Sequence, residues 1–170
     1  MGLPVDQFIA ATNINDVVPE YLITGDYMAR PSVATISNAM DVGDPSNFKR
    51  ILDMYNYSHE KIASDITGYS FTDDEVKSYI AKIYSNYKYL MDPHGSIAYM
   101  ALKSHLELNP DHTGIFLETA HPAKFHDTVE EVIGTKIEIP EKLAAFTKRE
   151  KKSIQISSNF LDFKDFLMKL

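Results

Sequence analysis

The residues best suited to chemistry in this sequence lie in one short segment, Thr119 to Lys124. It follows an apolar run, GIFLETA at 114–120, that is typical of a buried parallel strand. The Thr119 hydroxyl can donate to or accept from a ring nitrogen. Pro122 suits the first turn of a helix, whose amide groups can face an anion. On spacing alone the pattern equally describes a helix cap, so both interpretations stay open.

A second polar group follows the apolar run QFIAAT at 7–12, which we predict to be another buried strand. It consists of Asn13, Asn15 and Asp16. Ligands of α/β proteins bind beyond the carboxyl ends of parallel strands, so these side chains are candidates for lining a site. An Asx turn followed by a helix cap is the structural alternative.

The segment SNAMDVG at 37–43 contributes two further candidates, Asn38 and Asp41. Its small side chains would let the backbone approach a ligand closely, although a purely structural loop fits the same residues. Residues 13–47 show little periodicity and contain several Gly and Pro residues. Much of this stretch is therefore predicted to be ordered loop.

Two histidines and one lysine complete the candidates. Because the imidazole group in general titrates near neutrality, His94 and His121 could serve proton transfer or phosphate binding, or could be structural. Lys124 could pair with a phosphate or be a solvated surface residue. No histidines in the sequence show the helical i, i+4 pairing around a glutamate that marks a zinc protease, so no metal site is expected.

The elements that must position these residues can be read from apolar spacing and end signals. Five stretches with three- and four-residue apolar spacing are predicted to be helices. They are 46–55 with Ser46 as N-cap, 73–91 with a Thr72–Glu75 capping box, 93 to about 105 with Asp92 as N-cap, 122–134 closed by Gly134, and 159–170. Two strand–loop–helix units would thus frame a helical subregion at about 48–106.

The composition limits the classes of partner. A formal net charge of -7 and a pI near 5.3 would repel nucleic-acid phosphates and anionic lipid headgroups, so neither is expected to bind. No stretch has the ~20 apolar residues that a membrane span needs. The 170 residues contain no cysteine, which suits a reducing compartment, and we expect the cytoplasm.

Four blocks of the sequence resemble, in this order, blocks of the bacterial and fungal threonine synthases. The resemblance extends from residue 3 to about residue 140, and residues 53–91 match in helical character more than in letters. The blocks are FIAATNINDVVP (8–19), RPSVATISNAMDVGDPSNF (30–48), DPHGSIAYMAL (92–102) and FLETAHPAKF (116–125).

This resemblance implies an α/β fold: residues 1–170 would be a single region, the C-terminal part of a doubly wound three-layer domain that binds pyridoxal 5'-phosphate (PLP). It implies an enzyme that converts O-phospho-L-homoserine and water to L-threonine and phosphate. Thr119 falls on the family threonine that hydrogen-bonds the pyridine nitrogen. Asn13, Asn15 and Asp16 fall where such folds line the cofactor site.

In this family the lysine that carries PLP, the substrate-clamping block and the glycine-rich phosphate loop all precede the block that matches FIAATN. None of them is present here. We therefore expect PLP in the complete enzyme but no covalent attachment to this chain. The segment DFKDF at 162–166 resembles the context of the cofactor lysine. Lys164, however, lies in the final helix after the last shared block, no glycine follows it, and its neighbours Phe163 and Phe166 belong to the apolar stripe of that helix.

Three hypotheses follow from the missing half. The chain is a piece of a threonine synthase, inactive without its N-terminal half, or one subunit of a split enzyme. Alternatively it is a non-enzymatic module that binds a small anion at the helix after His121. If the chain lacks its other half, apolar surface is exposed and self-association is expected.

Overall fold

The computed structural model describes residues 4–170, apart from the side chain of Thr147, and divides into two compact units. The first unit extends to Glu138, and the second is Ile139–Leu170. In chain order the elements are β1 (Phe8–Thr12), α1 (Val17–Thr24), α2 (Phe48–Met54), α3 (His59–Asp65), β2 (Ile66–Ser70), α4 (Asp73–Tyr87), α5 (Pro93–Leu108), a 3₁₀ turn (Pro122–Phe125), α6 (His126–Ile133), α7 (Glu141–Thr147) and α8 (Phe160–Leu167).

The sheet of the first unit consists of two parallel strands, with Phe8 opposite Ile66 and Thr12 opposite Ser70. The predicted strand at 7–12 is confirmed as β1. Its neighbour β2 lies inside the subregion that was predicted to be helical, so that subregion is mixed. The sequence ITGYS escapes notice because it is only five residues long and carries Gly68, a weak strand former.

One core cluster of the first unit explains why part of the expected loop is a helix. Residues 17–24 were predicted to be loop but form α1, which buries Val17, Tyr21 and Leu22. The Tyr21 ring packs edge-on against Phe48 of α2, with 5.0 Å between ring centroids. Burial of this apolar face outweighs the weak local periodicity, since helices in proteins depend mainly on tertiary packing.

The predicted helix ends are largely those observed. The Thr72–Glu75 capping box begins α4, Asp92 caps α5, and Gly134 ends α6 in a left-handed conformation with φ of 70°. The predicted extents differ at several ends, and residues 122–125 of the predicted helix 122–134 form a 3₁₀ turn before α6. Asn47 precedes α2 in place of Ser46, α4 stops at Tyr87 because Lys88 is left-handed, and α5 continues to Leu108.

The prediction of a strand at 114–120 is wrong. The segment forms no regular element, and among residues 4–170 no strand pairs with it. An extended segment becomes a strand only when a neighbour accepts and donates its backbone hydrogen bonds. The apolar pattern of 114–120 therefore did not by itself decide the structure of this segment.

The second unit contains the last predicted helix. The helix α8 falls within the predicted range 159–170, and the Asn159 side chain caps it by accepting from the Leu161 amide at 2.8 Å. Its apolar stripe, which includes Phe160 and Leu161, lies exposed. That residues 1–170 form a single region stays a prediction.

Gly68 provides a test of how β2 packs on α1. A Cβ atom at this position would lie 2.6 Å from the Cα atom of Pro19 in α1. We expect Gly68→Ala to lower the free energy of unfolding by about 1–3 kcal/mol, because the strand and helix would have to separate. Urea denaturation measures it. Where no clash exists, Gly→Ala usually stabilises a protein, so an unchanged or higher value would contradict this packing.

Candidate functional site

Three of the candidates, Asn13, Asn15 and Asp41, meet in one polar network beyond the carboxyl end of β1. The Asn13 side-chain amide donates to Asp41 Oδ1 at 3.1 Å and to Thr35 Oγ1 at 2.9 Å. Asp41 also accepts from the Thr35 hydroxyl at 2.7 Å and from the Thr35 amide at 3.2 Å. The Asx turn considered from sequence is present, since the Asn15 amide donates to Asn13 Oδ1 at 2.9 Å. The carboxylate thus fixes the loop against the strand end.

The side chain of Asn15 extends this attachment. It is buried, donates to the Val33 carbonyl at 2.9 Å and accepts from the Val33 amide at 2.8 Å. The side-chain amide therefore pairs with a peptide group in both directions, as a neighbouring strand would. Sequence reasoning did not single out Thr35 or Val33, because their partners Asn13 and Asn15 are 22 and 18 residues away along the chain.

Two other side chains of the same loop, those of Ser37 and Asn38, do not take part in this network. Asn38 lies exposed. The Ser37 hydroxyl is buried and has no hydrogen-bond partner among the described residues, which is uncommon for a buried polar atom. The SNAMDVG segment thus combines one fully engaged residue, Asp41, with one exposed candidate.

Asp16 is separated from Asn13 and Asn15 despite its place in the same sequence motif. Its carboxylate pairs with Arg30, which also pairs with Glu20 of α1. These residues line a shallow cleft of about 420 Å³ that also includes Ser70 at the end of β2. The Ser70 hydroxyl donates to Asp16 at 3.4 Å. Arg30 was not predicted to be a site residue. From the sequence it was only the first residue of the block at 30–48 that resembles the family.

His94 belongs to a second cluster, at the beginning of α5. Its ring nitrogen Nδ1 lies 2.8 Å from Asp92 Oδ1, and its ring packs against Phe125 with centroids 4.9 Å apart. Asp92 is completely buried and also accepts from the backbone amides of His94 and Gly95. The Asp92 amide in turn donates to Glu118 Oε1 at 3.1 Å. This links the start of α5 to the residue just before Thr119.

The electrostatics of the cluster separate its two carboxyl groups. Burial opposes the ionisation of Asp92, but hydrogen bonds from the His94 side chain and backbone hold its pKa below the ordinary value. Burial raises the pKa of Glu118, and the nearby Asp92 carboxylate adds to that rise. Asp92 is therefore the more readily ionised of the two carboxyl groups.

The segment with the strongest sequence signal is only partly engaged. Thr119 is exposed, and its hydroxyl has no hydrogen-bond partner among residues 4–170. His121 caps the 3₁₀ turn by accepting from the Ala123 amide at Nδ1, at 3.1 Å, so the capping interpretation applies to this residue. Lys124 is exposed on the turn. Of the candidates here, only Thr119 offers an unengaged group beside an anchored residue, Glu118.

Neither a metal site nor a membrane span emerges from the described residues. His105 Nε2 lies 3.1 Å from His112 Nδ1, but nowhere in the described part of the chain do three His, Asp or Glu side chains gather as metal ligands. Among the helices of residues 4–170, none is long and apolar enough to cross a membrane.

Comparison with known proteins links this arrangement to one family. The family model described as "Threonine synthase, C-terminal" matches residues 96–167. The threonine synthase of Haemophilus influenzae is 38% identical over 172 residues, which cover 99% of this chain and 39% of that protein. The threonine synthase of Escherichia coli is 40% identical over 144 residues, which cover 85% of this chain and 33% of that protein.

Solved structures of the same enzyme share the fold. The crystal structure of Escherichia coli threonine synthase matches with a TM-score of 0.84 and 35% identity, over 99% of this chain and 38% of that one. The PLP-bound threonine synthase from Brucella melitensis matches with a TM-score of 0.78 and 26% identity, over 99% of this chain and 41% of that one. The α/β prediction is confirmed, and the chain spans about two fifths of the length of these relatives.

The Asp92 carboxylate can be tested for its structural role. We expect Asp92→Ala to lower the free energy of unfolding at neutral pH by about 1–3 kcal/mol, since it leaves the first amides of α5 and the His94 ring without their acceptor. Asp111→Ala, at an exposed aspartate, should change it by less than about 0.5 kcal/mol. Urea denaturation of both variants measures the difference.

The pH dependence of this difference follows from the lowered pKa of Asp92. A carboxyl group whose pKa is lower in the folded state stabilises the fold above its unfolded pKa, and this contribution is lost as the pH falls through the folded pKa. The gap between wild type and Asp92→Ala should therefore shrink in the acid range below the ordinary aspartate pKa. A gap that stays constant there would contradict the assigned charge.

Proposed function

We infer that this chain, which corresponds in sequence and fold to the C-terminal part of threonine synthases, works as that part of a complete enzyme. The proposed reaction converts O-phospho-L-homoserine and water to L-threonine and phosphate. It is a PLP-dependent carbon–oxygen lyase reaction of amino-acid biosynthesis. The proposed partner is the N-terminal half of the enzyme, and the cysteine-free composition suits a cytoplasmic location.

The main support for this proposal is the exposed hydroxyl of Thr119. Its hydroxyl is exposed and unengaged among the described residues, while Glu118 beside it is tied to the buried start of α5. An immobilised backbone with a free hydroxyl is what a hydrogen bond to a cofactor ring atom requires. Thr119 also stands where the family has its threonine for the pyridine nitrogen, so the position and the chemistry agree.

The residues present fit one side of a PLP site. When bound, PLP withdraws electrons from the substrate carbon atoms. The Thr119 hydroxyl would hold the ring nitrogen and fix the orientation of the ring. A neutral hydroxyl does not keep that nitrogen protonated as a carboxylate would, so it moderates the electron withdrawal. The phosphate loop and the cofactor lysine belong, in this proposal, to the other half.

The remaining candidates have different roles in this proposal: some position the loop, one histidine could act on a proton or bind phosphate, and the others line the site. Hydrogen bonds of Asn13, Asn15 and Asp41 hold the loop at the end of β1. These three residues therefore act as positioning residues for that side of the PLP site. His94 is the better placed histidine for proton transfer or phosphate binding, because Asp92 orients its ring and leaves Nε2 free to face a ligand. Asn38, Asp16, His121 and Lys124 stay as proposed lining residues.

The chain by itself is proposed to be inactive. Lys164, which resembles the family lysine in its neighbours, lies exposed on α8 in the second unit, far along the chain from Thr119. An exposed lysine does not lie in the enclosed, concave kind of site that holds a cofactor. Cofactor attachment is therefore assigned to the N-terminal half.

The role of Thr119 can be measured in a fusion of this chain to the part of Escherichia coli threonine synthase that precedes the matched region. We expect Thr119→Val to lower kcat for threonine formation by about tenfold or more, because a hydrogen bond worth about 1–3 kcal/mol is lost. The visible absorption of bound PLP should also shift. Steady-state kinetics and spectra provide the readouts.

Two further variants serve as controls. Thr119→Ser keeps the hydroxyl and should retain most of the activity and the wild-type spectrum. Thr113→Val changes another exposed threonine, just before the segment 114–120, and should alter neither the activity nor the spectrum. An unchanged turnover and spectrum in Thr119→Val would overturn the assignment.

A further inference from the structure

The end of α5 is closed by a pair of histidine rings that have no role in the proposed site. His105 lies in the last turn of the helix and is only 7% exposed, whereas His112 is exposed in the turn that follows. His105 Nε2 lies 3.1 Å from His112 Nδ1, and the ring centroids are 5.3 Å apart. The rings therefore form one direct hydrogen bond between the helix and the chain that leaves it.

The backbone between the two histidines brings His112 back over the helix end. The backbone and side-chain amides of Asn109 both donate to the His105 carbonyl, at 3.0 Å and 2.9 Å. The His112 amide donates to the Asn109 carbonyl at 3.0 Å, which closes a four-residue turn. Pro110 stands second in this turn, where proline is favoured. The ring pair thus adds a side-chain contact to a turn that the backbone already forms.

The turn leads directly into the segment that carries Thr119. Gly114, two residues after His112, lies so close to α5 that a Cβ atom there would fall 2.1 Å from Leu102. Further along, Glu118 accepts from the Asp92 amide at 3.1 Å. The histidine pair and Glu118 therefore hold opposite ends of one stretch of chain against α5.

The hydrogen bond between two imidazoles depends on how many protons the pair carries. One of the two facing nitrogens must hold a proton, and the other must be free to accept it. A first additional proton can bind the outer nitrogen of the donor ring, which leaves the bond in place and assists it by charge. A second additional proton must occupy the accepting nitrogen. The bond is then lost, and two cations face each other.

Other charged side chains around the end of α5 leave the two rings to each other. Lys103 pairs with Glu107 at 3.3 Å and also donates to the Tyr79 hydroxyl of α4. Of the elements packed on α5, α4 further brings Lys82 to the Tyr79 ring, β2 carries only Tyr69, and β1 has no titratable side chain. Asp111 of the turn is exposed. Within residues 4–170, neither ring bonds or pairs with a charged side chain.

We propose that His105 and His112 form an acid-sensitive latch. At neutral pH their hydrogen bond holds the turn 109–112 on the end of α5, and protonation of both rings releases the turn. Because imidazole in general titrates near neutrality, modest acidification is enough to change the state of the pair. Release loosens the start of segment 114–120, while Glu118 still anchors the part next to Thr119.

Amide hydrogen exchange of the isolated chain, followed by NMR, tests the latch, which needs neither PLP nor the N-terminal half. The protection of the His112 amide, corrected for the intrinsic exchange rate, should be about tenfold lower at about pH 5 than at about pH 7.5, since about one net hydrogen bond is lost. The amides of Met100 and Ala101 within α5 should stay protected. Unchanged protection of His112 would overturn the proposal. Loss of protection throughout α5 would do so as well, because the opening would then not be local.

Two matched variants identify the proton sensor. His112→Asn places an amide group where His112 Nδ1 lies, and this group can bond to His105 in either protonation state but does not titrate. Its protection at position 112 should change by less than about twofold between the two pH values. His126→Asn, at a histidine of α6, should keep the wild-type pH dependence. The latch is contradicted by a His112→Asn variant with that dependence or a His126→Asn variant without it.

Nitrogen NMR of the histidine rings reads the hydrogen bond itself. At neutral pH, we expect one of the two facing nitrogens, His105 Nε2 and His112 Nδ1, to carry a proton and the other to carry none. Acidification should protonate both of them. Two facing nitrogens that are both protonated, or both bare, at neutral pH would exclude the bond and with it the latch.

Discussion

The proposed placement of Thr119 beside a cofactor depends on the anchoring of Asp92. The buried Asp92 carboxylate caps α5 and orients His94, and the Asp92 backbone amide donates to Glu118, the residue before Thr119. A buried charge is tolerated only when several donors satisfy it, and here two backbone amides and an imidazole do so. One residue therefore both stabilises the helix start and anchors the neighbour of Thr119.

Local signals predicted this arrangement well where one contact decides the structure. Asp92 before Pro93, Thr72 before Glu75, and Gly134 each define a helix end within a few residues, and all three are observed. The grouping of Asn13 and Asn15 at the strand end also followed from the sequence, whereas their contact with Asp41 did not. Contacts between distant parts of the chain were not predictable, such as Asp16 with Arg30 or Glu118 with the Asp92 amide.

The two misread segments share one physical cause. Residues 17–24 lack a clear pattern but form α1 because a neighbouring core buries Tyr21 and Leu22. Residues 114–120 have a clear strand pattern but pair with nothing in the described part of the chain. In both cases the environment, more than the local sequence, decides the structure. The second case indicates that the sequence of 114–120 is suited to a larger sheet than the two strands seen here.

The most direct test of the central claim is to locate the lysine that carries PLP. The chain, alone and fused to the Escherichia coli part, would be treated with PLP and borohydride, and the modified residue identified by mass. We expect a stoichiometric adduct on a lysine of the Escherichia coli part and no specific adduct on this chain. A stoichiometric adduct on Lys164 would contradict it, because this chain would then hold the cofactor itself.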